Sequence, residues 1–479
     1  MQNTVGRLDT FFRYIVVVLL GLAIVLSFQF RIVALTHKKI SFVVMVILLL
    51  SAFLIFNIWL FIFRKLANKK LAILLLILVI AAPRLIWIFL MPTKPVSDYL
   101  CFYSYAQKAS QGFLKGYDMT FTLFRFRFGY SLILALVFKI FGSSIIVGKF
   151  FNVFLSVILG LIIYFTVDYL FGKEAATYSA VLYAFWPSQI MYNSVLASEH
   201  PFIVFFVLGL YFLLRAIKEK KAIFGIFAGV LVAISNHIRP VAVVIIIAMV
   251  FLFALKALCK DFKILKSAIL SIISYVITFY TVGYLIFSLT GIPVWKTSMG
   301  LNLMIGTDYT TYGMNNPKHS LFVKKYAYDF QKMHGEAMKI GLERLRKETK
   351  KFIAILPRKH AIIWGDDSFG YFWSTYKVYK TTNFVDLVKN HPTIFYMFSQ
   401  LYYYAILIYI ILGILSSKKN ANKEIFLFLN LIFLGYVVLH IFLEVQPRYH
   451  YPAIFTLFLL SGQGIKWLRE KLKRFQYCS

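Results

Sequence analysis

The chain has 479 residues, 60% of them hydrophobic and only 15% charged, with a mean hydropathy of +0.76. Its apolar residues fall in blocks of about 18 to 25, the length a bilayer-crossing helix needs, which excludes a water-soluble protein and implies an all-α polytopic membrane protein. In such a chain the formal charge of +33 belongs to loop ends and anionic headgroups, so membrane lipids are expected partners and nucleic acid is not.

Spanning helices are predicted at 11–35, 41–63, 70–92, 145–171, 174–196, 200–216, 222–237, 240–257, 265–290, 396–415, 424–444 and 450–467. The first run, Phe11 to Phe30, has no small-residue cleavage site and reads as a retained helix. About 12 spans put both termini on one side. Clusters at Arg64–Lys70, Arg215–Lys221, Lys256–Lys266 and Lys418–Lys423, with the tail from Lys466 to Arg474, identify that side as the cytoplasm of a cell membrane. The three cysteines, Cys101, Cys259 and Cys478, cannot all pair, and this topology places Cys101 across the bilayer from the others, so no disulfide is expected. Tyr130 to Phe141 is too short to span and is expected at the outer interface; counting it as a span would invert everything after it.

Four regions follow. They are two N-terminal helices (1–69), a transmembrane core with an external loop at 93–144 (70–290), a small external domain (291–394), and three C-terminal helices with a basic tail (395–479). In the external domain GLNLMIGTDYTTYGMNNP (300–317) reads as a polar stretch and EAMKIGLERLRKETKKFIAILP (336–357) as one charged helix.

The chemistry-bearing residues gather on the outer face. In PTKPVSDYLCFYSYAQKASQG (92–112) the spacing of Phe102, Tyr105, Ala106, Ala109 and Phe113 predicts an amphipathic surface helix, with Asp98 one turn before Phe102. Either Ser97 or Asp98 caps that helix, or Asp98 is a general base kept ionised by its place at the helix start. Glu199 and His200 stand at the SVLASEHPF turn, Arg239 in SNHIRP, and Arg448, Tyr449 and His450 in EVQPRYHYP. Singly, each arginine reads as an interface anchor; together, beside two carboxylates, they read as a phosphate clamp. His440 and Glu444 are spaced for one helix face, but that spacing is common and neither a CxxC nor an HExxH pattern is present, so no metal site is assigned. No obligatory cofactor is expected, a divalent cation being the one left open.

In that order PVSDY with Tyr105–Ala106, FGYSLILALVFKIFGSS, FWPSQIMYNSVLASEHPF, Arg239–Pro240, GLNLMIGTD and PRYHYP resemble the GT-C glycosyltransferases that use a polyprenyl-phosphate sugar, the class containing protein O-mannosyltransferases and lipid A aminoarabinose transferases. The resemblance implies a GT-C-like bundle with an interfacial helical first loop. It makes Asp98 the acceptor base, with Glu199 beside it as a catalytic carboxylate. Arg239 and Arg448 would hold the donor phosphate, and Tyr105, His200, Tyr449 and His450 would touch substrate. The reaction implied is transfer, with inversion, from a lipid-phosphate sugar to a hydroxyl of an envelope glycan, lipid or protein on the external face. Two departures stand out: position 99 is Tyr where the mannosyltransferases carry a second acid, and two helices precede the span that delivers Asp98. The competing readings are a flippase or transporter of lipid-linked saccharides, and a polymerase or ligase with a working histidine among His319, His334, His360 and His391.

Overall fold

A computed structural model describes residues 2–32, 57–59, 62, 69–258, 262, 264–295, 299–326, 329–416 and 423–478. Among these residues the protein is helical, and its one isolated bridge joins Thr93 to Val378. Among the described residues, seven helices are long and apolar enough to cross a membrane: Gly6–Phe30, Lys70–Leu90, Ile145–Phe171, Glu199–Glu219, Leu265–Thr290, Pro392–Ser416 and Lys423–Phe442. Ala222–Ile238 and Val243–Leu258 are apolar but shorter.

The predicted span 41–63 lies outside the described residues except for 57–59 and 62. Two others are interrupted. The run 174–196 folds as Lys173–Ala184 and Pro187–Tyr192, because Pro187 has no amide to donate and holds Trp186 extended. The Trp186 ring then inserts among Tyr403, Phe455 and Phe458, and its N–H donates to Asp367 at 2.7 Å. The run 450–467 is broken at Leu459–Leu460, between Tyr451–Phe458 and Ser461–Cys478.

The first loop contains the two helices expected of it. Ser97–Ser110 buries Tyr99, Phe102, Tyr105, Ala106 and Ala109; Phe113 lies beyond its end and is exposed. Arg127–Phe141 has 15 residues, about 22 Å of helix, and packs Phe128, Tyr130, Leu134 and Phe138 into the same core. Cys101 in this loop is a free thiol.

The segment after Gly291 differs from expectation in two ways. The polar stretch contains a helix, Met299–Gly306, and the single helix predicted over 336–357 is two, Phe330–Lys347 and Thr349–Gly365, turning at Glu348. The second passes through Pro357 and packs along the first helix of the chain, with the His360 ring against the Leu19 carbonyl at 2.9 Å. Its buried Lys359 donates to the carbonyls of Gly306 at 2.6 Å and Ile441 at 2.7 Å, so one ammonium closes the C-terminal ends of Met299–Gly306 and Lys423–Phe442 together. Residues 371–379 hold the first loop from the other side: Lys94 donates its amide to Lys377, and Tyr379 to Pro92.

Candidate active site

Asp98 does not cap its helix. Val96 precedes the helix in extended conformation with no side-chain cap hydrogen bond, and Ser97 takes a left-handed φ of 51°, a strained geometry for a residue with a Cβ. The Asp98 carboxylate instead meets Arg127, Nη2 to Oδ1 at 2.5 Å. Arg127 is the first residue of the second loop helix, and its other terminal nitrogen donates to Thr120 Oγ1 at 2.6 Å. Gly129 makes this placement sterically feasible, since a Cβ there would lie 2.1 Å from the His237 carbonyl oxygen. Only a glycine lets the loop helix abut the end of Ala222–Ile238, which carries Arg239 just beyond it.

Side chains from distant parts of the chain converge beside this pair. Arg448 Nη2 lies 3.7 Å from Asp98 Oδ2, and Arg448 Nε lies 3.6 Å from Glu199 Oε1. Arg239 Nη1 reaches the same Glu199 oxygen at 2.7 Å, close in distance though poorly aligned for a hydrogen bond, and Ser198 Oγ at 3.3 Å. Tyr99 accepts a hydrogen bond from Arg448, and Gln446 Oε1 accepts one from Arg448 Nε at 3.1 Å. Burial works to raise the Asp98 carboxyl, but the charges of Arg127, Arg448 and Arg239 outweigh it and hold the group below its usual value. The helix-start amides expected to do this are not what does it. Asp98 keeps 38% of its side-chain surface open, whereas Glu199 keeps 1%.

Asp98, Arg127, Glu199, Arg239, Gln446 and Arg448 line a cavity of about 370 Å³ roofed by the segment after Gly291, which contributes Leu301, Asn302, Asn315, His319 and Lys324. The roof is internally braced. Asp308 accepts from the Thr310 hydroxyl at 2.7 Å and from His319 Nε2 at 2.9 Å, with Arg344 at 3.7 Å. Glu444 also lines the cavity, and burial pushes its carboxyl up while the Gln446 amide and Arg448 pull it back. Among the described residues no group of three or more His, Cys, Asp or Glu is arranged to hold a metal, and His440 Nδ1 meets the Glu444 backbone carbonyl at 3.1 Å and not its carboxylate.

Of the residues read from sequence, Asp98, Glu199, Arg239, Arg448 and Tyr449 line the cavity. The Tyr449 ring lies under both arginines, 5.4 Å from the Arg239 guanidinium and 5.8 Å from that of Arg448. Tyr105, His200 and His450 are not brought there. Tyr105 donates to the Leu114 carbonyl at 2.7 Å within a ring cluster of Tyr117, Phe121 and Phe128. His200 bonds the Tyr192 carbonyl at 3.1 Å, and His450 lies between the Ile363 carbonyl at 3.1 Å and Asp367 at 3.5 Å. They build the walls behind the site. The sequence reading missed Arg127, Tyr99 and Gln446. The alternating FRFRF at 124–128 was the available signal for Arg127.

Residues 128–287 match the family model described as dolichyl-phosphate-mannose-protein mannosyltransferase, a stretch that contains Glu199 and Arg239 but neither Asp98 nor Arg448. No curated protein sequence matches the chain. Among solved structures, the archaeal oligosaccharyltransferase AglB from Archaeoglobus fulgidus, in complex with an inhibitory peptide and a dolichol-phosphate, aligns with a TM-score of 0.50 at 14% identity, over 86% of this chain and 52% of that one. The chain thus spans about half the length of that relative. The fold is GT-C-like, similar to that of this oligosaccharyltransferase.

Proposed function

We propose, from this GT-C fold, that the protein transfers a sugar from a polyprenyl-phosphate donor to an acceptor hydroxyl at the outer face of the cell membrane, inverting the anomeric centre. The observation that carries the reading is an ionised, partly open carboxylate, Asp98, in one cavity with a pair of arginines, Arg239 and Arg448, bridged by a buried glutamate. The acceptor hydroxyl gives its proton to Asp98 as its oxygen bonds to C1 of the sugar. The bond from C1 to the phosphate oxygen breaks on the opposite side, and the charge that develops on the phosphate is met by the two guanidiniums. On arrival the donor phosphate draws Arg448 from Asp98, and Arg127 keeps the freed carboxylate in place. Glu199, buried behind the arginines, is in this reading a positioning group and not a base. The dolichol-phosphate in the AglB complex supports the choice of a lipid phosphate as donor class.

Purified protein in liposomes, given polyprenyl-phosphate sugars and a panel of hydroxyl acceptors, is expected to release polyprenyl phosphate and label an acceptor. Movement of the intact glycosyl lipid across the bilayer with no release would establish a flippase instead. For sidedness, with Cys101 replaced by Ser, a cysteine at exposed Gln111 should react with an impermeant thiol reagent outside intact cells, and one at Lys220 should not. The reverse pattern would invert the topology.

A further inference from the structure

The two carboxylates most open to ligand in this cavity keep different company. Asp98 lies among arginines, whereas Glu444 has no cation within 4.0 Å among the described residues. Its one side-chain hydrogen bond comes from an amide, Gln446 Nε2 to Glu444 Oε1 at 2.6 Å. The backbone around it is tied to the roof: Glu444 donates its amide to the Asn302 carbonyl at 3.0 Å, and Val445 donates to Gly313 at 2.9 Å. A Cβ at Gly306 would lie 2.2 Å from the Leu443 carbonyl carbon, so the roof sits directly on this turn.

A carboxylate that is 8% exposed, held rigidly in a cavity wall and given a single amide as partner, is costly unless a ligand donates to it. The phosphate cannot be that ligand, because like charges repel; it belongs with Arg239 and Arg448. Gln446 joins the two places, since its Nε2 donates to Glu444 and its Oε1 accepts from Arg448. What reaches Glu444 while a phosphate sits at Arg448 is the hydroxyl-bearing part of the same molecule.

We propose that Glu444, set by Gln446, is the sugar-recognition residue of the donor site, accepting hydrogen bonds from sugar hydroxyls and so selecting which sugar is transferred. This rests on the transferase reading above. Trp373, whose ring lies 5.5 Å from the Arg448 guanidinium, supplies a fluorescence reporter next to the site.

The test titrates purified protein in detergent with polyprenyl phosphate, then with polyprenyl-phosphate hexoses, pentoses and N-acetylhexosamines, following tryptophan fluorescence. Wild type should bind at least one glycosyl lipid roughly tenfold or more tightly than the bare lipid phosphate, and removal of one hydroxyl from that sugar should cancel the preference. Glu444→Ala should cancel it too, while leaving affinity for bare polyprenyl phosphate within about twofold. Glu444→Gln keeps the Gln446 contact through its amide oxygen and should lose part of the preference; if the alanine variant does not fold, this one carries the comparison. A sugar preference that survives both substitutions, an equal loss for both ligands, or no preference in wild type overturns the proposal. Failure of wild type to bind any lipid phosphate sinks the donor reading itself, and it is recognisable because it appears before any substitution.

Discussion

The helix Glu199–Glu219 has, at each end, a carboxylate gripped by two cations. At its start Glu199 meets Arg239 at 2.7 Å and Arg448 at 3.6 Å; past its end Lys220 meets Glu424 at 3.0 Å, which also takes Lys256 at 2.5 Å. The two clusters have the same charges and similar distances. They differ in surroundings: Glu199 is 1% exposed behind a cavity, whereas Glu424 keeps 28% of its side chain open and has lysines, point charges without the planar fork that fits a phosphate. Ion pairing alone therefore marks neither as a site. A cavity, arginines in place of lysines, and a second carboxylate beyond the pair distinguish the Glu199 end from the Glu424 end.

Five substitutions at four positions break or sharpen that contrast. The largest effect is expected at the Glu199 end from Asp98→Asn, which should lower release of polyprenyl phosphate about a hundredfold or more with melting unchanged; near-normal turnover would remove the base from the scheme. Arg448→Ala should follow with a loss on the order of a hundredfold, and Arg448→Lys with a smaller one, about tenfold, because charge is kept and the bidentate fork is lost. A lysine that served equally well would make the two ends chemically equivalent.

Arg127→Gln should act through pH. With its carboxyl held below the usual value, Asp98 stays ionised well into acid, so the acid limb of kcat/KM lies low; without Arg127 it should rise measurably. The same pairing stabilises the fold fully above the unfolded carboxylate value of about 3.9, and that stabilisation is lost as pH falls through the lower folded value. An unmoved acid limb would mean that Arg127 does not govern Asp98. The smallest effect belongs to the other end: Glu424→Gln should leave turnover within about twofold and cost roughly 1 kcal/mol in a melt, as partly exposed pairs do.

What could be read from sequence followed physical rules, and so did what could not. Asp98, Arg239 and Arg448 were legible because a charge beside an apolar run must have a reason. Arg127 was not, since one of two arginines in FRFRF faces the site and only the helix start at Arg127 decides which. Tyr105, His200 and His450 were misplaced by adjacency: one residue along a helix turns a side chain about 100°, which carries His200 away from Glu199, and seven residues carry Tyr105 about 10 Å from Asp98 along the same face. Hydropathy found the long helices but is blind to the hinge at Trp186–Pro187, which depends on one missing amide. The turn at Glu348, inside what reads as one charged helix, is set by the two packing surfaces it joins.

In the proposed reaction Glu199 also bears on how the product leaves. Two guanidiniums with no counter-charge in a poorly solvated pocket would hold a phosphate dianion tightly, and departure of the spent lipid would then limit turnover. With a glutamate always between them, the trio of Arg239, Glu199 and Arg448 presents one net positive charge in place of two. Such a clamp responds to the charge that grows as the glycosidic bond breaks, yet releases the lipid that carries it away. In the proposed transfer the buried glutamate would thereby act as a brake on product inhibition.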